Sequence, residues 1–291
     1  MAGILTLVAT PIGNLGDFSP RAVEVLKSVD LIAAEDTRNT LKLLNHFEIR
    51  TPMTAYHEYN RFDKADELVE QMLAGKNVAC VTDAGMPGIS DPGEVLAAKC
   101  IEAGITVTCV PGPSAGITAL VLSGLSTRRY RFEGFLPSDK KERGAVLADV
   151  KNDAATLIFY EAPHRLLKTL EVLYEALGDR RAAIVKELTK VHEQVLRTTL
   201  SEAIRHFKEE EPRGEYVLVV EGRSFEEKQQ EQEASWQSLS IEEHLQMYEA
   251  QGLDRKEAMK RAAKDRGVSK REIYDAVMKD GYFSGASRTL L

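Results

Sequence analysis

Long apolar runs are missing from the sequence, and its few cysteines and histidines show no ligand-like spacing. No segment reaches the roughly 20 consecutive apolar residues of a membrane-spanning helix, and the N-terminal GILTLVAT lacks the basic lead-in of a secretory signal. We therefore expect a cytoplasmic protein with no membrane partner. Cys80, Cys100 and Cys109 form no C-x-x-C pair and lie in apolar segments, which predicts small buried side chains. The histidines form no H-x-H or H-E-x-x-H spacing, so we expect no metal site.

The usual phosphate-binding motifs are absent as well. None of the glycine-rich turns contains G-K-[ST], and none fits G-x-G-x-x-G with an acid about 20 residues later, which disfavours ATP and dinucleotides. A net charge of −7 argues against a protein that coats nucleic acid. The charge is uneven, however, because residues 221–243 hold seven acids and two bases, whereas residues 254–280 hold nine bases and six acids. This pattern predicts an acidic linker before a mildly basic tail.

Short apolar runs alternate with amphipathic segments of helical length, which predicts an α/β fold with a mainly parallel sheet in the first half. The second half carries strand patterns with short connections, so its sheet is expected to be partly antiparallel. Strands are expected near residues 4–9, 30–34, 52–56, 77–82, 105–110, 131–135, 155–160, 182–187, 193–199 and 215–221. Helices are expected near residues 20–29, 38–46, 62–74 and 92–103 and from PGPSAG to about 123, whereas SDKKERG at 138–144 reads as a loop.

These patterns divide the chain into four parts. We predict α/β domains at residues 1–112 and 113–223, an acidic linker at 224–239 and a helical tail at 240–291. The tail reads as two or three short helices, and GVSKREIYDAVM resembles the second half of a helix-turn-helix. Because Lys256, Lys260, Arg261 and Lys264 share one helical side, the tail is the better candidate for an RNA-binding surface.

Three turns rich in glycine and proline follow predicted strands. ATPIGNLGD follows the first strand, DAGMPGISDPG the fourth and PGPSAG the fifth. Because the carboxyl ends of parallel strands meet at one edge of a sheet, the three turns are expected to converge there. Missing side chains would let a ligand touch the backbone.

These turns, together with AEDTR, FEGFLP, FYEAPHR and the KE of VKELTK, resemble the tetrapyrrole methylase superfamily of S-adenosylmethionine-dependent methyltransferases. The matches run in order from Gly3 to about Gly222 and are most similar to the branch that methylates ribosomal RNA. The resemblance implies a cofactor cleft between two α/β domains and, commonly, a homodimer. It also implies methylation of the ribose 2′-hydroxyl of a cytidine in the decoding region of small-subunit (16S) ribosomal RNA.

The resemblance also implies which residues contact S-adenosylmethionine. Met86 departs from the pattern, since relatives that act on tetrapyrroles often have an acid there. The implied cofactor-binding residues are Pro11, Ile12, Gly13, Asp83, Ala84, Gly85, Met86, Pro87, Ser114, Ala115, Tyr160, Glu161, Ala162, Gly214, Glu215 and Tyr216.

Charged residues at strand ends are the candidates for catalysis of methyl transfer. This reaction needs a group that orients or accepts the proton of the ribose 2′-hydroxyl. The second strand ends in AEDTR, and later strands end in FYEAPHR and KE. FYEAPHR offers Glu161, His164 and Arg165, and its Pro163 is typical of a helix start. Asp36 also stands where a helix N-cap is expected, so both roles remain open for it. The catalytic candidates are Glu35, Asp36, Arg38, Glu161 and Lys186, with Arg38 or Arg165 holding phosphate.

Two other functions remain open from the residues alone: a methyltransferase acting on a tetrapyrrole or other small molecule, and a non-catalytic module that binds the cofactor or RNA. AEDTR, FYEAPHR and the helical tail argue against the first, because a small substrate needs none of them. The positive charge is too small for tight binding of naked RNA. The expected partner is therefore the assembled small ribosomal subunit.

Overall fold

The computed structural model describes residues 1–224 and 236–285, with side chains as far as Met278. The chain forms two compact units, Met1–Gly222 and Arg223–Leu291. Within the described residues, the first unit contains two five-stranded sheets and the second contains helices.

The first sheet is parallel, as the sequence predicts. Its strands run in the order β3-β2-β4-β1-β5, which places the ends of β4, β1 and β5 side by side. Ser19 accepts a hydrogen bond from the N–H of Ala22 and so caps the first helix, which begins at Pro20. The strands are β1 (Ile4–Val8), β2 (Leu31–Ala34), β3 (Met53–Ala55), β4 (Val78–Val81) and β5 (Thr106–Val110), and the helices are α1 (Pro20–Ser28), α2 (Thr37–His46), α3 (Arg61–Leu73) and α4 (Gly93–Glu102).

The second sheet is mixed, which confirms the prediction for this half. Its order is β6-β7-β10-β8-β9, with β6 and β7 parallel and the remaining pairs antiparallel. The strands are β6 (Tyr130–Phe135), β7 (Thr156–Glu161), β8 (Arg181–Lys186), β9 (Gln194–Thr199) and β10 (Tyr216–Val220), and the helices are α5 (Ala115–Ser123), α6 (Lys140–Val150), α7 (Pro163–Leu177) and α8 (Leu200–Glu209).

Two predictions about residues of this unit were wrong. SDKKERG is not a loop, because Asp139 accepts hydrogen bonds from the N–H groups of Lys141 and Glu142 and caps α6. Cys109 is exposed, whereas Cys80 and Cys100 are buried. The reason is that Cys109 lies on β5, the edge strand of its sheet, where most side chains are only partly covered.

The second unit is helical, as predicted for the tail. Leu245, Tyr248, Ala258, Ala262 and Ile273 form its core. Its described helices are α9 (Ile241–Ala250), α10 (Arg255–Asp265) and α11 (Lys270–Gly285). Most of the predicted acidic linker, residues 225–235, lies outside the described residues. In the part of the chain that is described, no helix is at once long and apolar enough to cross a membrane.

Candidate functional site

The three glycine- and proline-rich turns meet at the carboxyl ends of β1, β4 and β5, as the sequence predicts. The N–H of Thr10 donates to the carbonyl of Gly85 at 2.9 Å, and the N–H of Gly85 donates to the carbonyl of Thr10 at 3.2 Å. A methyl group on Gly112 would lie 2.9 Å from the Cβ of Ala9, so the third turn is packed against the first. These contacts join the turns into one surface.

Gly85 lies at the centre of this surface in a left-handed conformation, with φ of +92°. L-residues with a side chain rarely adopt this conformation, and glycine adopts it without steric cost. A Cβ at this position would stand 3.4 Å from Ile12 and 3.5 Å from the carbonyl oxygen of Pro113. The position therefore needs glycine for its backbone angle and keeps the wall bare.

A cavity of about 550 Å³ lies between these turns and the ends of β7, β8 and β10. Its volume is within the range of small-molecule sites, roughly 300–1,000 Å³. Of the cofactor-binding candidates, its wall contains Ile12, Ala84, Gly85, Met86, Ser114, Ala115, Tyr160, Glu161, Ala162, Glu215 and Tyr216. Pro11, Gly13, Asp83, Pro87 and Gly214 are not part of the wall.

Gly13 and Gly214 lie where protein, not open space, approaches the backbone. A Cβ on Gly13 would come within 2.5 Å of the Lys190 side chain, and one on Gly214 within 2.7 Å of the Glu187 side chain. Lys190 in turn donates to the carboxylates of Glu187 and Glu215 at 2.9 and 2.8 Å. The missing side chains at these two glycines thus let the first turn and the start of β10 pack on the segment after β8.

Two tyrosines of the wall have hydroxyl groups held by backbone. The hydroxyl of Tyr160 accepts a hydrogen bond from the N–H of Gly116 at 3.1 Å, and that of Tyr216 accepts one from Arg213 at 3.2 Å. Burial raises the pKa of both phenols above their ordinary value. Both side chains are therefore neutral at physiological pH and act as fixed walls.

A cluster of acids lies at the ends of β2 and β4, directly before the cavity wall. Glu35 accepts hydrogen bonds from the Thr82 hydroxyl at 2.5 Å and from the N–H of Asp83 at 3.3 Å. Asp83 accepts from the N–H of Asp36 at 3.2 Å and from the Asn39 amide at 3.1 Å. Partial burial raises the pKa of the Asp83 carboxyl above its ordinary value.

Asp36 forms the helix cap that its position suggested. Its carboxylate accepts from the N–H of Arg38 at 2.8 Å and pairs with the Arg38 guanidinium through two hydrogen bonds of 3.0 and 2.7 Å. The guanidinium hydrogen bonds, followed by the backbone hydrogen bond, lower the pKa of Asp36 to about 2. The Arg38 side chain is otherwise 86% exposed, so its charge faces solvent.

Glu161 is fully buried and its carboxylate is tied to α7. It accepts from the Thr169 hydroxyl at 2.6 Å and from the N–H of Ala162 at 2.9 Å, and it lies 3.4 Å from Nε of Arg165. Arg165 also donates to the carbonyl of Leu136 at 2.7 Å. The carboxylate therefore fixes the start of α7.

Lys186 lies in the same row of the second sheet as Glu161, with Tyr216 between them, and it is not part of the cavity wall. Tyr216 of β10 lies opposite Glu161 on one side and opposite Lys186 on the other. Directly opposed residues of antiparallel strands share a face of the sheet. The structure thus brings Glu161, Tyr216 and Lys186 into one row, separate from the acid cluster on the first sheet.

Seven further residues complete the wall. Sequence reasoning had considered His164 as a candidate to help remove the hydroxyl proton and Pro163 as a helix start, and it gave the other five no role. The apolar ones from strands or their ends carried only a burial signal, and Phe135 lies inside the FEGFLP motif, which had been assigned no function. The residues are Ile89, Phe135, Pro163, His164, Val185, Leu188 and Val217.

The sequence matches a known protein family over most of its length. Residues 5–204 match the family model of tetrapyrrole (corrin/porphyrin) methylases. The chain is similar to proteins named ribosomal RNA small subunit methyltransferase I, with 50% identity to that of Halalkalibacterium halodurans and 48% to that of Bacillus subtilis, each over 94% of both chains. The Escherichia coli O157:H7 protein of the same name is 44% identical, over 94% of this chain and 93% of its own.

Solved structures share the fold at low identity. A diphthine synthase has a TM-score of 0.61 and 16% identity, over 76% of this chain and 91% of its own. A uroporphyrin-III C-methyltransferase from Thermus thermophilus has a TM-score of 0.55 and 20% identity, over 75% of this chain and 94% of its own. The family match and the curated relatives confirm the resemblance found in the motifs, and the chain belongs to the tetrapyrrole methylase family, whose methyl donor is S-adenosylmethionine.

Proposed function

We propose that the protein methylates small-subunit ribosomal RNA, at the ribose 2′-hydroxyl of a cytidine in the decoding region. The observation that carries the substrate class is the similarity, over 94% of the chain, to curated proteins named for small-subunit ribosomal RNA. The cavity at the junction of the three turns supports a methyl-donor site. We propose cytidine as the methylated nucleoside, and its 2′-oxygen as the methyl acceptor, from the motif resemblance.

The cavity residues fit S-adenosylmethionine by size and by chemistry. A wall that is mostly apolar with a few polar groups suits a small charged ligand with an aromatic base. Ile12, Gly85, Met86, Ser114 and Ala115 would hold the donor on the side of the first sheet. On the other side, Tyr160, Ala162 and Tyr216 would hold it against the second sheet, with Glu215 beside them.

The acid cluster of the first domain is the better source of the proton acceptor. Bound S-adenosylmethionine supplies a methyl group on a sulfonium, a good leaving group, so the protein has to align the ribose oxygen and take its proton. Asp83 has a raised pKa and directly precedes Ala84 and Gly85 of the wall. The Glu161 side chain is fully buried and bound by Thr169 and Arg165, whereas Asp83 is in part exposed to solvent. We therefore assign Glu161 to structure and Asp83 to the proton.

We propose that the helical tail binds the RNA substrate. Exposed bases on α10 and the start of α11 include Lys256, Lys264, Lys270 and Arg271. Exposed lysine and arginine side chains can neutralise phosphates and set the orientation of the substrate without reading its sequence. The whole chain carries a net charge of −7, which disfavours tight binding of naked RNA. We therefore propose that the substrate is the assembled small ribosomal subunit.

We also propose that the protein acts as a homodimer. Ile117 and Val121 lie one turn apart on α5 and are 43% and 68% exposed. Apolar pairs of this kind are suited to an interface between copies. Light scattering should then give twice the chain mass of 32.3 kDa, and a single-chain mass at working concentration would refute the dimer.

The experiment that tests the function offers the purified protein methyl-labelled S-adenosylmethionine with small ribosomal subunits, naked 16S RNA or a porphyrinoid. We expect label on the RNA of the subunits, and less on naked RNA. Label on the porphyrinoid alone would instead support a small-molecule methyltransferase. Label on none of them would support a binding module without catalysis.

A further inference from the structure

Two large apolar side chains of the cavity wall are half exposed to solvent. Ile89, from the turn after β4, is 49% exposed, and Phe135, at the end of β6, is 54% exposed. Contiguous exposed apolar surface beside a cavity is typical of ligand-binding grooves. The two residues come from different domains but face one opening.

The backbone around Phe135 is shaped to turn its side chain outward. β6 has an irregular register between Phe132 and Gly134, and Gly134 has φ of +62°. A bulge of this kind re-aims the following side chain. The ring of Phe135 packs edge-on against Tyr160, with ring centroids 5.7 Å apart, and Tyr160 is itself fixed by the N–H of Gly116. Phe135 is therefore exposed but anchored.

The turn that carries Ile89 is also held rigidly. The carboxylate of Asp91 accepts hydrogen bonds from the N–H groups of Gly88, Ile89 and Gly93 at 2.8–3.2 Å. Ser90 has φ of +64°, a strained conformation for a residue with a side chain. Strain of this kind persists only where the surrounding contacts enforce it. The hydrogen bonds to Asp91 therefore fix the turn in which Ile89 is exposed.

The two segments touch each other across the domains. A Cβ on Gly134 would lie 3.1 Å from the hydroxyl oxygen of Ser90, so the neighbours of Phe135 and Ile89 are in contact. Together, Ile89 and Phe135 form an apolar lip, by which we mean these two side chains only. The lip borders the cavity that we assign to the methyl donor.

We propose that this apolar lip holds the base of the target nucleotide, with the base stacked on the ring of Phe135 and flanked by Ile89. The inference rests on the proposed function: the donor site is a cavity, and a nucleotide turned out of the RNA stack can bring its ribose hydroxyl into that cavity. Unstacked bases are commonly bound on aromatic side chains. Because every base has a flat face, this contact secures the nucleotide without reading which base it carries.

The test measures steady-state methylation of small subunits by Phe135→Ala, alongside the donor affinity by calorimetry. Loss of one base-stacking contact should raise the KM for subunits by about 10- to 100-fold. The Kd for S-adenosylmethionine should stay within about two-fold of wild type. Phe135→Tyr, which keeps the stacking face, should restore the KM, and Ile89→Ala should raise it by a smaller factor.

Tyr130→Ala is the matched control, since Tyr130 is an aromatic residue at the other end of β6, is 47% exposed and is not part of the cavity wall. It should leave the KM unchanged. A Phe135→Ala protein with an unchanged KM would overturn the inference, as would one whose loss lies entirely in donor affinity, because the lip would then be part of the donor site. The wild-type protein is assayed before any variant. If it does not label the subunits, the proposed function itself is overturned.

Discussion

Glycine has two different uses in this protein, and the difference lies in what approaches the bare backbone. At Gly85 the neighbouring space is the cavity, and the backbone angle of +92° excludes most side chains. At Gly13 and Gly214 the neighbours are the side chains of Lys190 and Glu187. Sequence reasoning could place all three glycines next to predicted strands. It could not decide whether a ligand or another part of the protein approaches each of them, because a close approach of either kind requires a residue without a Cβ.

Gly85→Val should lose donor binding. The left-handed backbone costs a residue with a side chain about 1–2 kcal/mol, and the valine also fills the wall between Ile12 and Pro113. We expect the Kd for S-adenosylmethionine, measured by calorimetry, to rise at least about 10-fold. Gly104→Val is the matched control, because Gly104 has φ of +71° and nothing within 4 Å of its Cβ position. Equal affinity in both variants would contradict the assignment of this cavity.

Asp83→Asn should lower kcat by about 100-fold or more while leaving the donor Kd unchanged, as expected for loss of a general base. In the wild type, burial holds the Asp83 pKa above its ordinary 3.8, so activity should rise as the pH passes that raised pKa and the carboxyl loses its proton. The variant should lack this acid limb in its pH–rate profile. Asp66→Asn, on the exposed surface of α3, is the control.

A loss in donor affinity with kcat preserved would instead make Asp83 a donor-binding residue, as the motif resemblance implied. An unchanged acid limb in Asp83→Asn would place the proton acceptor elsewhere.

At the scale of elements, the strands and the helices between β1 and β5 could be predicted because apolar periodicity and end signals agree there. Ser19 and Pro20 mark the start of α1 in the sequence, and both act as expected in the structure. The charged α6 was missed, because few of its side chains are buried and its start looks like a basic loop. Sheet order was not predictable in the second domain, since pairing depends on contacts distant in the chain.

The tail helices carry a prediction of their own. Lys256→Glu with Lys264→Glu on α10 should raise the KM for subunits and flatten its dependence on salt, because each lost phosphate contact lowers the slope of log K against log salt by about 0.9. Donor affinity should not change. The control is Lys27→Glu with Lys76→Glu, the same change in charge at exposed lysines near the amino ends of β2 and β4. Equal effects from the two pairs would contradict a docking role for the tail.

In the unit Met1–Gly222, the cavity that we assign to the methyl donor lies where two different sheets meet. The parallel sheet contributes turns with bare backbone and an acid cluster, and the mixed sheet contributes tyrosines and an exposed phenylalanine. The sequence patterns predicted the parallel sheet, the mixed sheet and the meeting of the three turns, whereas the domain bounds and the cofactor contacts stay predictions. They could not identify the lip at Ile89 and Phe135, because exposure of an apolar side chain depends on how the two sheets and their connections pack.

The most direct measurement digests small-subunit RNA to nucleosides after reaction with S-adenosylmethionine and identifies the product by mass spectrometry. The account predicts 2′-O-methylcytidine, formed by the wild type and lost in Gly85→Val. A methyl group found on a base, or none on RNA while a porphyrinoid is methylated, would contradict it.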